Sequence, residues 1–401
     1  MSSVNVASLN RMPRSVWVLG FVSLLMDTSS ELIHSLLPLF LVTTIGTSVL
    51  TVGLIEGAAE ATALIVRVFS GVLSDYLGKR KALAVAGYGL AAITKPLFAI
   101  ASTAGLVFSV RIIDRVGKGI RGAPRDALVA DVTPSDLRGA AYGLRQALDT
   151  VGAVLGPLLA MSFMLLWSDN FRAVFWIAVV PAFLSVALLL IGVRDTGQKA
   201  DGKRSNPVQW QNLKRMGSFY WWVVAIGAVF TLARFSEAFL LLRAQQGGLH
   251  LALIPLVMVA MNIVYSLSSY PLGKLADRVS HIKLLTAGLA ILICADIVLA
   301  IGNHWSVVIV GVSLWGLHLG MTQGLLAAMV ADASPEDLRG TGFGFFNLAS
   351  GLALLLASPL AGYLWDRFGA AFTFSTGAAF CFMAMVAILV MSYQAKNRLA
   401  S

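Results

Sequence analysis

"ADVTPSDLRG" occupies residues 130–139 and returns as "ADASPEDLRG" at 331–340, with seven of ten positions identical at an offset of 201. A weaker pair runs beside it: "GVLSDYLGKRK" (71–81) returns as "GKLADRVSHIK" (273–283) at an offset of 202. In a chain of 401 residues each offset is half the length. Self-similarity at half the length marks a duplicated unit. The expected organisation is an N-terminal half over 1–193, a linker over 194–216 and a C-terminal half over 217–401.

Composition says what each half is made of. The chain is 58% hydrophobic and only 12% charged, with mean hydropathy +0.81, whereas a soluble domain carries about 25% charged residues. Apolar stretches of bilayer-crossing length, about 20 residues, recur twelve times. They lie near 16–41, 50–74, 82–102, 105–130, 140–165, 172–193, 217–243, 250–274, 284–302, 306–331, 341–365 and 371–393. The prediction is an all-α polytopic membrane protein of twelve transmembrane helices, six in each half. The repeated motifs then follow spans 2 and 8 and spans 4 and 10, on one side of the membrane. Parallel repeats of this kind place a binding site near the bilayer midplane between them.

A net charge of +10 suggests nucleic acid, but its distribution excludes that partner. With a cytoplasmic N-terminus, 18 of the 30 Lys and Arg fall in inside segments, three (Arg172, Arg243, Arg367) outside, and nine within spans. That is the positive-inside bias, and it places both termini and the linker in the cytoplasm of a cell with the chain in its cytoplasmic (inner) membrane. The basic linker would lie against anionic lipid. Arg11 and Arg14 resemble a signal-peptide n-region. The apolar run behind them is too long for one and contains Asp27 and Glu31, so an uncleaved first span is expected. Cys294 and Cys381 form no motif and read as core thiols.

The motif residues carry a resemblance. "GVLSDYLGKRK" resembles the helix 2–3 loop motif of the major facilitator superfamily through Gly71, Leu73, Asp75, Gly78, Lys79, Arg80 and Lys81. Arg111 resembles the superfamily's helix 4 motif, with Asp114 and Arg115 standing where Gln and Gly are more usual. "GAVLGPLLA" (152–160) resembles the helix 5 motif of its proton-driven exporters through Gly152, Gly156 and Pro157. The resemblance implies the twelve-helix fold of two pseudo-symmetric halves, with helices 1, 4, 7 and 10 around a central cavity. It also implies a cytoplasmic gate at Asp75, and antiport. The second copy of the loop motif departs from the pattern at Ser280 and His281. Physically, Asp75 at a helix end can complement a facing helix dipole, while Lys79–Lys81 meet lipid phosphate. Gly139/Gly143 and Gly152/Gly156 are small-xxx-small pairs suited to close helix contact.

Span 4 is the anomaly. "RIIDRVGKGIRGAPRD" (111–126) holds seven charges in sixteen residues. At about 100° per residue, Arg111, Asp114, Arg115, Lys118, Arg121, Arg125 and Asp126 share an arc of about 140°. A charge facing lipid at midspan costs about 2.5–3.5 kcal/mol, so this face must look at protein or water. Matching stripes lie on span 1 (Asp27, Glu31, His34), span 2 (Glu56, Glu60, Arg67) and span 5 (Arg145, Asp149). Span 3 adds Lys95. The first half sums to seven acids against eight bases plus His34, which favours a paired network over an anion trap. A carboxylate beside movable arginines changes its proton affinity as they come and go. Asp27 and Glu31 are therefore the expected protonatable pair, with Arg111, Arg115 and Asp114 as their switchable partners. The second half offers Arg234 and Glu237 on span 7, with Trp315, His318, Gln323 and Asn347, so substrate contact is shared with it and the substrate has apolar surface.

The function expected is secondary active transport of a small molecule, proton-coupled and outward, by a monomer that needs no cofactor and holds no resident metal. Two alternatives compete. Met258/Met261 and His318/Met321 are i, i+3 pairs that could pass Cu(I) or a metal chelate, although the charged network has no use there. A transporter-like sensor would lose the coupling charges first. An enzyme is excluded by the lack of GxSxG, HExxH, DxGxGxxG and P-loop motifs.

Overall fold

The computed structural model describes residues 11–77, 79–193, 215–276, 278–335 and 338–400. Gly78, both extreme termini and residues 194–214 of the expected linker lie outside the described residues, as does the Asp75 side chain.

The described chain is helical throughout. Its helices are α1 (Arg14–His34), α2 (Val49–Leu77), α3 (Arg80–Ile100), α4 (Ala104–Asp131), α5 (Arg138–Leu166) and α6 (Phe171–Gly192). They continue with α7 in two arms (Ser218–Ala233 and Ala238–Gln246), α8 (Leu256–Ala276), α9 (His281–Ile301), α10 (Trp305–Ala333), α11 (Arg339–Phe368) and α12 (Ala370–Ala400). Eleven spans among the described residues are long and apolar enough to cross a membrane. The twelfth, α4, has the length at 28 residues, but its charges remove the apolarity. It starts where Thr103 caps it, the side chain accepting from the Leu106 amide at 3.3 Å.

By packing, the chain forms two compact units, Met1–Phe40 with Thr62–Asn206 and Leu41–Ala61 with Pro207–Ser401. In the first, α1 lies against α5 and α6, and α3 against α4. Val16, Leu19, Val22 and Met26 of α1 join Ala84, Tyr88 and Ala91 of α3 in its core. Glycines set the helix spacing. A Cβ on Gly152 would sit 2.6 Å from the Leu24 carbonyl oxygen, and one on Gly156 2.7 Å from that of Thr28. Gly87 and Gly117 do the same between α3 and α4, each about one atom from the opposite backbone, at 2.7 Å. Gly139 and Gly143 share the small-xxx-small spacing, yet among the described residues nothing lies within 4 Å of a Cβ at either; the expectation of close packing there is corrected, because no neighbouring helix is close enough to need the missing side chains.

The second unit takes the first half of α2. A Cβ on Gly53 would run into the Ser358 carbonyl oxygen, and one on Gly57 would meet the Leu354 carbonyl at 3.1 Å. Asp366 of α11 accepts from the Val49 and Leu50 amides at 3.1 and 2.9 Å, capping the start of α2 and complementing its dipole. Span 7 was expected to run unbroken over 217–243, but the helix stops at Ala233 and resumes at Ala238. Side-chain hydroxyls take up backbone groups in the gap: Ser358 accepts from the Ser236 amide at 3.1 Å, and Ser236 from the Ala238 amide at 3.2 Å. Of the two cysteines, Cys381 is buried as expected, while Cys294 is exposed on the outer face of α9, so it is not a core thiol.

The repeated motifs also recur in space. In the first unit Asp131 pairs with Arg80, the basic end of the loop after α2. In the second, the repeat-related Asp332 meets His281, after α8, at 3.9 Å.

Candidate functional site

The charged face of α4 is turned into the first unit. Arg111, Asp114, Arg115 and Arg121 are each less than 5% exposed, while Ile113 on the opposite face is 40% exposed. Lys118, also on the charged face, is exposed.

Two clusters divide this face. The inner one is centred on Asp114. Lys95 of α3 donates to its Oδ1 at 2.8 Å and to the Ser30 hydroxyl at 3.1 Å. Thr94 adds a bond at 3.2 Å, and the Arg111 guanidinium stands 3.8 Å from Oδ2. Pro96 follows Lys95 within α3 without ending the helix. Arg115 lies within electrostatic reach of both Asp114 and Glu31. Glu31 itself meets His34, its neighbour one turn on, at 3.7 Å.

The second cluster gathers α1, α4 and α5. Asp27 meets Arg121 at 3.5 Å, and Arg121 stacks 4.8 Å over the Tyr88 ring. Asp149 of α5 stands 3.8 Å from Arg125 and 3.6 Å from Arg145. Asp126 is shared by Arg125 at 3.1 Å, Arg145 at 3.8 Å and Arg67 at 3.6 Å. Arg125 also donates to Ser23 at 3.3 Å. The Asp27 and Asp149 carboxyls lie within hydrogen-bonding reach of one another. Two carboxyl groups in that contact need one proton between them, since two carboxylates offer only acceptors. Gly152 makes the approach feasible: a Cβ there would stand 3.2 Å from that of Asp27. A cluster of acids bridged by three guanidinium groups can therefore hold a proton and exchange it when an arginine moves.

In the second unit, Glu56 is fully buried on α2 and Glu60 half-buried one turn later. Arg234 and Glu237 flank the break in α7. Arg234 stands 5.8 Å over the Phe230 ring and within electrostatic reach of Glu237, Tyr265 and Glu60. Tyr265 donates to the exposed Gln323 at 2.8 Å, and Asn347 is half-buried on α11. His318 and Trp315 are completely buried. The His318 Nδ1 faces the Gly288 carbonyl at 2.8 Å and its Nε2 the Thr322 hydroxyl at 3.5 Å. Its Nδ1 is thus committed to a backbone carbonyl, while the Thr322 hydroxyl donates to the His318 carbonyl at 2.9 Å. Met258, Met261 and Met321 are buried. The sequence reading missed the α7 break, since no Gly or Pro marks it. It also missed Arg121 as the partner of Asp27, because helical periodicity sets a face but not the height at which neighbours meet.

Comparison with known proteins places this arrangement. The sequence profile described as Major Facilitator Superfamily matches residues 19–357, and again 238–399. An uncharacterized MFS-type transporter, MJ1317 of Methanocaldococcus jannaschii, is 34% identical over 360 residues, covering 88% of each chain. The staphylopine export protein of Staphylococcus aureus is 23% identical, over 88% of this chain and 89% of that one. Among solved structures, the nucleoside transporter NupG superposes with a TM-score of 0.76 at 13% identity, covering 94% of this chain and 98% of its own.

Proposed function

The chain belongs to the major facilitator superfamily, and on that premise we propose that it is a proton-coupled exporter of a small molecule working by alternating access. It is a multi-pass membrane transporter and not an enzyme, so its charged groups act by binding. The observation that carries the reading is the Asp27–Asp149 pair under Arg121, Arg125 and Arg145. In one state the acids share a proton; when the guanidinium groups close on them, the doubly ionised pair is stabilised and the proton leaves. The neighbouring Glu31–His34 pair offers a second exchangeable site. The Lys95–Asp114 bridge anchors α4 while this happens. Substrate contact falls to the interrupted segment of α7, where Arg234 and Glu237 stand beside exposed polar groups. Broken helices in transporters commonly carry the groups that contact substrate. The outward direction is supported by the helix 5 motif and by the export protein among the relatives.

The test separates coupling from binding. A substrate is first found by screening proteoliposomes under an imposed pH gradient with a lumenal pH dye. Asp27→Asn and Glu31→Gln, which fix these sites as if occupied, are then expected to keep gradient-free exchange and lose pH-driven accumulation. A parallel fall of both activities, normalised to inserted protein, would remove the carboxyls from the coupling.

The same reading sets the topology, with both termini and the 194–216 linker cytoplasmic in the inner membrane and anionic lipid against Lys79 and Arg80. A cysteine introduced at Asp201 should be protected from an impermeant reagent added outside, and one at Asp169 should react. The reverse pattern would overturn the orientation.

A further inference from the structure

Asp296 lies in α9, which is otherwise apolar along this stretch ("AILICADIVLAI", 290–301). It is 0% exposed, and neither of its carboxyl oxygens has a hydrogen-bond partner among the described residues. α9 packs mainly against α10 and α12, and the carboxyl points at α12. A Cβ on Gly377 would stand 2.8 Å from its Oδ2 and 3.2 Å from Cε1 of Phe235. The missing side chain of Gly377 therefore makes the space into which the acid fits, and the Phe235 ring borders that space.

The groups around it are apolar or neutral. Cys381, one turn along α12 from Gly377, is buried within electrostatic reach of the acid. Phe235 stacks with Trp315 and Phe374 at 5.7 and 5.5 Å, and the Trp315 Nε1 is itself buried without a partner. On α10, His318 is committed to Gly288 and Thr322. Arg243 donates to the Leu299 and Ala300 carbonyls at the end of α9, and Arg234 lies over Phe230. No cation among the described residues pairs with the acid. A carboxylate left so would be strongly penalised, and a neutral acid is the form this space can hold.

Phe235 belongs to the break in α7, whose backbone is tied by two hydroxyl contacts instead of a helical ladder. The ring bordering the acid thus sits on the non-helical stretch between the two arms of α7. We propose that Asp296 is a further proton-binding site, in the second of the two units, with the 234–237 break as its cover. Movement of the Phe235 ring admits water; the carboxylate takes a proton from hydronium to give the acid and water, and the reverse step returns it. Only an O–H bond changes. The proposal does not depend on the role given to Asp27.

The test needs no transported substrate. The full chain in lipid nanodiscs is titrated from acid to alkaline pH while the carbonyl stretch of protonated carboxyls is recorded by infrared difference spectroscopy. The Asp296 band is identified by its loss in Asp296→Asn. Should that variant fail to insert, the wild-type chain is treated with dicyclohexylcarbodiimide, which attacks protonated carboxyls in apolar surroundings, and the adduct on the Asp296 peptide is followed by mass spectrometry. The expected result is a signal at neutral pH that declines as pH rises, with severalfold faster deuterium exchange in Phe235→Ala. Absence of the signal at every pH, or a signal that neither pH nor Phe235→Ala alters, would overturn the proposal.

Discussion

Replacing Asp114 by alanine is expected to remove most of the folded protein from the membrane. The carboxyl holds Lys95 at 2.8 Å and Arg111 at 3.8 Å, all three residues being less than 5% exposed. Without it, Lys95 loses the carboxylate it donates to, and Arg111 loses the acid 3.8 Å away, both inside the packed unit. Removing one partner of a buried pair costs about 3–5 kcal/mol, a large share of a total stability of about 5–15 kcal/mol. Lys95→Met alone is milder, because Arg111 still stands by the acid. The double variant Lys95→Met with Asp114→Asn should recover part of the loss, since it deletes one charge of each sign. Fluorescence-detected size exclusion, with total protein measured in parallel, reads the effect. Wild-type yield from Asp114→Ala would show that α4 is not anchored through this acid.

Gly53→Val should be nearly as damaging, for a steric reason. A Cβ there collides with the Ser358 carbonyl oxygen, and a backbone atom cannot swing aside as a side chain would. Overpacking commonly costs about 1–3 kcal/mol where side chains can adjust; here α2 has to move off α11, and the amides of Val49 and Leu50 lose Asp366 with it. Gly89→Ala is the control. Nothing lies within 4 Å of its Cβ position, and a helical Gly→Ala change is worth about 0.5–1 kcal/mol in favour of the helix. Thermal unfolding of the purified variants should therefore shift in opposite directions. A Gly53→Val protein as stable as the wild type would mean that the α2–α11 contact is not the one described.

Much of the architecture was legible because it depends on patterns summed over many residues. Runs of membrane-crossing length, a repeat at half length and a charged arc that lipid would reject each fix a feature without knowledge of neighbours. Contacts between helices were less legible. Gly139/Gly143 and Gly152/Gly156 have one spacing, yet only the second pair meets α1; the pattern marks a capacity for close approach and not its use. Arg111 and Arg115 were expected as partners of Asp27 and Glu31; Arg115 lies within reach of Glu31, while Asp27 also meets Arg121, which the arc on α4 does not single out. The α7 break has no helix-breaking residue to announce it, being held by hydroxyls from Ser236 and from Ser358, over a hundred residues away. Asp296 escaped notice because a lone acid makes no stripe.

The two repeat-related aspartates show what duplication has permitted. Asp131 faces Arg80 at the start of α3, and Asp332 faces His281 at the start of α9. The partners are not aligned positions of the repeat, since Arg80 corresponds to Ile282 and His281 to Lys79, so each half makes its contact with a different residue of the loop. Two copies of one scaffold can in this way keep a fastening between the same two elements while changing the residue that makes it.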